Sequence, residues 1–256
     1  MGGRLLGRAL ATLLCAGVGA VLLSGSDQPV TAQPYPHWQQ LAAPPISPRT
    51  HALGVHVRHR VLVLGGLGRS GVALRDGAAY EVRTGIWHRL RTPVPITDRD
   101  RAAVAAGVVV LRHRRPGLTP SWWRYDVRRD DWSRMAGVPP RLSAPSAFGS
   151  EVYALAGRRV VVYSVQLDRW TPLPVDRLRP ALTHRTVRAS RAGTVVTGYA
   201  ALPDRLVSDR WDGLRWRRTD ATPAPAVTAP SNGATRVAVG GRVVVVRGTE
   251  AWIHTP

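Results

Sequence analysis

The chain contains no lysine and a single cysteine, and these absences exclude several kinds of site. All 36 basic residues are arginine, against 16 acidic residues, so the formal net charge of the 256 residues is +20. The cysteine, Cys15, lies in an apolar N-terminal stretch, so the rest of the chain has no disulfide, thiolate metal site or cysteine nucleophile. A mean hydropathy of -0.11 excludes a polytopic membrane protein. The missing lysine also indicates a GC-rich coding background, which accounts for part of the arginine excess.

The first 32 residues have the layout of an export signal. Residues 1–8 are short and basic, residues 9–25 are uncharged and apolar or small, and residues 30–32 offer a small-residue cleavage site. An uncleaved N-terminal membrane anchor is the alternative, because the apolar run is at the short edge for a spanning helix. We therefore expect an exported bacterial protein, extracellular or associated with the cell envelope, whose folded domain comprises residues 33–256.

Tryptophan marks a tandem repeat in that domain. In the fourth copy, which is degenerate, Trp211 precedes the marker by only five residues. In three copies a tyrosine precedes the marker by seven residues, with a polar turn between: Tyr80, Tyr125 and Tyr163. The markers, spaced 38 to 49 residues apart, are Trp38, Trp87, Trp132, Trp170 and Trp216.

Short valine-rich runs between the markers predict β-strands, since they are bounded by Gly, Pro or Asp and no stretch shows a helical period. Four strands per repeat indicate an all-β fold, and tandem units of about 45 residues favour a β-propeller. The runs are residues 52–57, 61–64, 102–106, 108–111, 152–155, 160–165, 195–196, 237–239 and 243–246.

The two ends of the sequence predict how the ring closes. Residues 251–255 align with the third strand of a repeat, with Trp252 at the position of Tyr80. Residues 38–41 form a fourth strand without a repeat of its own. Pairing the two segments completes one blade, so we expect five four-stranded blades closed by pairing of the N-terminal strand with the C-terminal blade.

These residues resemble kelch repeats, in particular those of the bacterial galactose-oxidase-like propellers. The resemblance is carried by the double glycine Gly65-Gly66 after a valine-rich strand, by the turn from Tyr125 to Trp132, and by Pro48-Arg49 ahead of a first strand. Kelch propellers usually have six or seven blades, so a count of five departs from the pattern. The family's copper oxidase needs a cysteine cross-linked to a tyrosine, so its activity is disfavoured here, and we expect no cofactor and no metal.

Repeated arginines give the sharpest candidate site. The entry to the first strand of successive blades carries Arg49, Arg101 and Arg141, followed by Arg179 or Arg185. Because equivalent positions repeat around a propeller axis, these arginines are candidate ligand-binding residues at one channel mouth, where guanidinium groups bind carboxylates or phosphates. The alternative is that they donate to backbone carbonyls and brace the blades.

Other catalytic signatures are weak. No Gly-x-Ser-x-Gly, His-Glu-x-x-His or phosphate-binding loop is present. His51 and His56 would point to opposite faces of a strand, which makes them poor co-ligands. Asp98 and Asp100 stand in a loop between blades and form a candidate carboxylate pair for glycoside hydrolysis.

The function expected from the sequence is binding. We expect an exported kelch-like module for a protein, a glycan or an anionic ligand, including anionic cell-envelope polymers. The alternative is a carbohydrate-active enzyme on the same fold, either a sialate-mutarotase-like isomerase or a glycoside-active enzyme. The arginines are spread along the chain and no nucleic-acid module is visible, so no specific nucleic-acid partner is expected. Contact with a membrane is expected only through an uncleaved N-terminal segment.

Overall fold

The computed structural model describes residues 38–176, 183–191, 193–200, 205–219, 235–239 and 242–254. The predicted signal segment 1–32 and Arg179 lie outside these residues. None of the described segments is a helix long and apolar enough to cross a membrane. All regular structure in this part of the chain is β-strand.

The described strands form five antiparallel sheets of four strands each, so the chain is a five-bladed β-propeller, as predicted. The first strand, β1 (Trp38–Leu41), belongs to the last blade. Blades 1 and 2 consist of β2 (Leu53–Val57), β3 (Arg60–Leu64), β4 (Asp76–Glu81) and β5 (Ile86–Arg91), followed by β6 (Arg101–Ala105), β7 (Val108–His113), β8 (Ser121–Asp126) and β9 (Asp131–Arg134). Blade 3 consists of β10 (Ser146–Phe148), β11 (Glu151–Ala156), β12 (Arg159–Ser164) and β13 (Arg169–Pro172). Blades 4 and 5 consist of β14 (Thr183–Ser190), β15 (Gly193–Ala200), β16 (Arg205–Trp211) and β17 (Trp216–Thr219), followed by β18 (Thr235–Val239), β19 (Arg242–Arg247), β20 (Glu250–His254) and β1.

Blade 5 is assembled from both ends of the folded domain. Strand β1 pairs antiparallel with β20, which confirms the predicted closure. The register differs from the predicted alignment by two residues, because Trp38 lies opposite His254 and Gln40 lies opposite Trp252. His254 therefore takes the place that Tyr80 has in blade 1. The predicted alignment was wrong because it placed Trp252 at the position of Tyr80 on the ground that both are aromatic. It took no account of how far each residue lies from the end of its strand.

The second strands each contain an apolar run because each blade is covered on both faces. Val61, Leu62, Val63 and Leu64 of β3 are all fully buried, without the alternation of a sheet that has one face in water. Leu62 and Leu64 pack toward blade 2, whereas Val61 and Val63 pack toward blade 5. Two similar cores lie between blades 2 and 3 and between blades 3 and 4. Burial of successive blades against one another thus supplies the core.

The tryptophan markers each lie directly across from an aromatic residue of the third strand. In blades 1 to 4 the partners are 4.9 to 5.4 Å apart between ring centroids. In blade 5 the ring of His254 lies 4.8 Å from that of Trp38. The paired rings are Tyr80 with Trp87, Tyr125 with Trp132, Tyr163 with Trp170, and Trp211 with Trp216.

The two ends of the blades have different connections. Because antiparallel strands alternate in direction, the turns after the first and third strands lie at one end, here called the turn end. The connections after the second and fourth strands lie at the other, here called the loop end. At the turn end, Asp130 and Asp168 have a positive φ and accept a hydrogen bond from Tyr125 and Tyr163, respectively, both at 2.5 Å. Blade 1 has Gly85 at this position, also with a positive φ.

Candidate functional site

The loop end is built unevenly around the ring. The connection between the second and third strands comprises residues 65–75 in blade 1 and residues 114–120 in blade 2. The equivalent turns in blades 3 and 5 are two residues each, 157–158 and 248–249. Extended loops on a rigid scaffold are where proteins most often place binding and catalytic residues. The candidate site is therefore at the loop end of blades 1 and 2.

The double glycine fixes the long loop of blade 1. Gly65 and Gly66 have φ values of 60° and 104°, in the region that favours glycine. A Cβ on Gly65 would lie 2.1 Å from the carbonyl oxygen of Ile96, and one on Gly66 would lie 2.7 Å from that of Thr50. The amide of Gly66 donates to Ile96 O at 2.7 Å. The glycines are thus needed because the connection between blades 1 and 2 passes directly over them.

Arg49, the first predicted ligand-binding arginine, lies beneath this loop. Its side chain is 2% exposed, and its two terminal nitrogens contact the two oxygens of the Asp76 carboxylate at 2.8 and 3.0 Å. It also donates to the carbonyl oxygens of Gly65 and Ser47, both at 2.9 Å. The hydrogen bond from Arg49 is the main cause of the lowered pKa of Asp76. Arg49 therefore joins the entry of blade 1 to its long loop.

The other predicted arginines have different surroundings. Arg101 is exposed and donates to the carbonyl oxygens of Asp98 at 2.5 Å and Asp100 at 2.9 Å. Arg141 is exposed and has a φ of 56°. Arg179 lies outside the described residues, and the alternative at that position, Arg185, forms a buried ion pair with Asp176. The structure thus places Arg49 in the interior and Arg101 and Arg141 at the surface, and their role in ligand binding stays a prediction.

Asp98 and Asp100 each face a different histidine. Asp98 Oδ2 lies 2.7 Å from Nδ1 of His51, and both side chains are nearly half exposed. Asp100 Oδ1 lies 3.0 Å from Nδ1 of His113, and this pair is buried, with the side chains 2% and 8% exposed. The two aspartates of the connection between blades 1 and 2 therefore each contact a histidine, one at the surface and the other in the interior.

The Asp100–His113 pair has a defined hydrogen-bonding pattern. Asp100 Oδ2 accepts from the amide of Thr97 and Oδ1 from the amide of Arg114, both at 2.8 Å. A carboxylate only accepts, so Nδ1 of His113 is the donor in its contact with Asp100. Nε2 of His113 is buried and has no partner among the described residues. An Asp-oriented imidazole with an unpaired second nitrogen is able to bind a ligand or to transfer a proton.

His113 lines a cavity of about 250 Å³ on the face of blade 2 that is turned toward blade 1. The strand register explains the grouping, since His113 lies opposite Ser121 and Trp123 lies opposite Arg134. All four residues therefore project from one face of three adjacent strands. The connection between blades 1 and 2 also contributes to the lining, through Val94, and so does the connection between β7 and β8, through Arg115, Leu118 and Thr119.

The surroundings of this cavity are strongly basic. The segments 65–75, 92–101 and 112–120 together contain seven arginines and two aspartates. Arg112 projects from the opposite face of β7 to His113, and its pKa is lowered, first by burial and then by repulsion from Arg114 and Arg101. Crowded guanidinium groups of this kind attract an anion, because an anion relieves their repulsion.

A second cavity of about 300 Å³ reaches from blade 1 toward the turn end of blade 2. Several of its polar lining groups are already occupied within the chain. Arg60 pairs with Glu81 and donates to Val127 O, and Arg89 donates to the carbonyl oxygen of Pro45. This cavity therefore offers fewer unpaired groups than the one lined by His113.

The described residues contain no group of three or more His, Cys, Asp or Glu side chains placed to hold a metal ion.

His113 is the residue that sequence reasoning missed. It is contained in the run Arg112-His113-Arg114-Arg115 at the end of a predicted strand, followed by Pro116 and Gly117. Comparing repeat lengths would have marked this segment, because blade 3 makes the same connection with two residues. Its partner Asp100 could not be assigned from sequence, since the contact depends on how blade 1 leads into blade 2.

Comparisons with known proteins assign the chain to no family. No protein-family model matches the chain. No curated protein matches it in sequence. The solved structures to which the chain is similar include one described as the structure of YjhT, with 13% sequence identity and a TM-score of 0.45, covering 84% of this chain and 82% of that one. At this level of similarity no property of that protein is transferred, and the propeller assignment rests on the five sheets and on the pairing of β1 with β20.

Proposed function

We propose that this chain is an exported, kelch-like β-propeller that binds an anionic ligand at the loop end of blade 2. Export is inferred from the signal-like layout of residues 1–32, and kelch-like from the double glycine and the Tyr–Trp turns. The ligand is a free anionic sugar, an acidic glycan or an acidic envelope polymer. A protein that presents such a group is a further possible partner.

The cavity lined by His113 is the observation that carries this proposal. Arg115 and Arg134 supply guanidinium groups, which bind carboxylates through paired N–H donors. Trp123 supplies an aromatic face, and its indole nitrogen donates to Ser121 Oγ at 3.2 Å. A concave site with an aromatic wall and a few polar groups is the usual form of a small-ligand site.

Calorimetric titration with D-galacturonate and with oligogalacturonate at two salt concentrations tests the proposal. We expect binding that survives moderate salt and is lost in Arg134→Gln, because the mutation removes a guanidinium of the cavity. Arg83→Gln is the matched control, since it removes the same charge from an exposed turn of blade 1 at the turn end. If binding vanished at moderate salt for every anion, or if both variants weakened it equally, the attraction would be a property of net charge and not of this site.

A carbohydrate-active enzyme is the second candidate function, and the buried Asp100–His113 pair is the observation that favours it. An imidazole held by a carboxylate serves as a general base or acid in many enzymes. NMR of sugar acids incubated with the protein would detect faster anomer exchange or bond cleavage. Activity that disappears in His113→Gln supports the enzyme, and the absence of turnover with a ligand that binds tightly supports the binding module.

A further inference from the structure

We propose that the blade 2 cavity selects a hydroxylated carboxylate of monosaccharide size, a sugar acid, and that His113 is the residue that recognises a ligand hydroxyl. This inference rests on the proposed function, because it assumes that the cavity binds an anion. It adds a second requirement, a hydrogen-bond donor on the ligand, and assigns that requirement to one atom.

The donor and acceptor roles of the two ring nitrogens of His113 follow from the neighbouring groups. Nδ1 donates to Asp100, whose carboxylate already accepts from two backbone amides and only accepts. In the neutral imidazole the other ring nitrogen, Nε2, is then an acceptor. The site therefore requires a donor from the ligand at this position, and a hydroxyl group provides one.

The burial of Nε2 makes the requirement strict. The side chain is 8% exposed, and Nε2 has no partner in the described part of the chain. A ligand that occupies the cavity without a hydroxyl leaves this acceptor unpaired and away from water, which is the costly case for a polar group. A ligand whose hydroxyl reaches Nε2, which is covered from solvent in this structure, satisfies it.

The remaining lining groups complete the description of the ligand. The carboxylate is assigned to Arg115 and Arg134, and the apolar face of a sugar ring to Trp123, whose neighbour across the sheet is Arg134. The volume of about 250 Å³ is below the range of roughly 300–1,000 Å³ typical of sites for drug-sized ligands. One sugar ring therefore fits, with a longer glycan extending into solvent.

Three probes separate the two requirements. D-galacturonate carries a carboxylate and hydroxyls, cyclohexanecarboxylate carries the carboxylate alone, and D-galactose carries the hydroxyls alone. We expect calorimetry to show galacturonate binding about ten-fold more tightly than cyclohexanecarboxylate, as for one hydrogen bond to a buried acceptor, with galactose weakest. In His113→Phe the preference for galacturonate over cyclohexanecarboxylate should disappear, while the affinity for cyclohexanecarboxylate changes less than two-fold.

Two further variants make the result specific to Nε2. His113→Gln places an amide oxygen near the position of Nε2, so it should retain part of the preference, and it decides the question if the Phe variant does not fold. His59→Phe, at an exposed turn of the opposite end, should leave all three affinities unchanged.

The possible failures are distinguishable. Equal binding of galacturonate and cyclohexanecarboxylate by the unmodified protein overturns the assignment of His113 and leaves the anion-binding function in place. A parallel loss of affinity for both acids in His113→Phe and His113→Gln also overturns it, since it indicates a structural role. Failure of both carboxylates to bind overturns the proposed function itself.

Discussion

The turn end and the loop end of this propeller are formed by the same strands, but the turn end repeats from blade to blade whereas the loop end varies. At the turn end, blades 1 to 4 repeat one solution, in which an aromatic pair spans the third and fourth strands. At the loop end, the connections range from two residues in blade 3 to the segment 65–75 in blade 1. The repeated end secures the scaffold, and the variable end carries the cavity. Site-directed changes at matched positions of the two ends, or of two blades, test this division.

The largest effect is expected where the loop end is most crowded. Gly65→Ala should lower the free energy of unfolding by about 4 kcal/mol or more, because its Cβ would lie 2.1 Å from a backbone oxygen at a positive φ. Gly157→Ala is the control at the short loop-end turn of blade 3. Gly157 has the same φ of 60° and no atom within 4 Å of its added Cβ, so about 1 kcal/mol is expected. If chemical denaturation showed equal losses of unfolding free energy for the two variants, the long loop would not depend on its close contact with the connection 92–100.

The next effect concerns the arginine beneath the same loop. Asp76→Asn should cost about 3 kcal/mol in chemical denaturation, because it leaves the buried Arg49 guanidinium without its counter-charge. Asp126→Asn, near the turn end of blade 2, should cost less than about 0.5 kcal/mol, since its partner Arg129 is 83% exposed. The pKa of Asp76 is lowered in the folded state, so the stability it contributes is lost as pH falls below the usual range of an aspartate. If Asp76→Asn cost as little as the control, the position of Arg49 would not depend on Asp76, and Arg49 would be available to bind a ligand.

The sequence was sufficient to predict the turn end but not the loop end, for a physical reason. The Tyr–Trp pairs lie within one hairpin, so a fixed spacing of seven residues reports a contact directly. The loop-end contacts join separate segments, such as Arg49 with Asp76 and Asp100 with His113. Whether these residues come into contact depends on the path of the chain between separate segments, and the spacing of residues within one segment does not report that path. For the same reason arginines at equivalent positions of the repeats were predicted to be alike, whereas Arg49 is buried and Arg101 is exposed.

A smaller effect separates blades within the turn end. Tyr125→Phe should lower the free energy of unfolding by about 1 kcal/mol, since it removes the 2.5 Å hydrogen bond to Asp130 from a buried ring. Tyr80→Phe should change it by less than about 0.5 kcal/mol, because Gly85 stands where blades 2 and 3 have Asp130 and Asp168. Thermal and chemical denaturation of the two variants measure the difference. A larger cost for Tyr80→Phe would show that the aspartates are turn formers only.

The last expected effect appears only at alkaline pH, and the missing lysine makes it measurable. Burial, followed by hydrogen bonds to Asp130 and Asp168, raises the pKa of Tyr125 and Tyr163 well above the usual value near 10, and burial raises the pKa of Tyr153 to about 12.

Above pH 10 the unfolded chain releases tyrosine protons that the folded chain retains, so the free energy of unfolding falls with increasing pH. No lysine titrates in this range, and arginine remains charged. Replacing the three tyrosines together by phenylalanine should flatten the dependence between pH 10 and 12, as measured by urea denaturation. If the substituted protein kept the slope of the unmodified one, the raised pKa values of these three hydroxyls would not be the cause of the alkaline loss of stability.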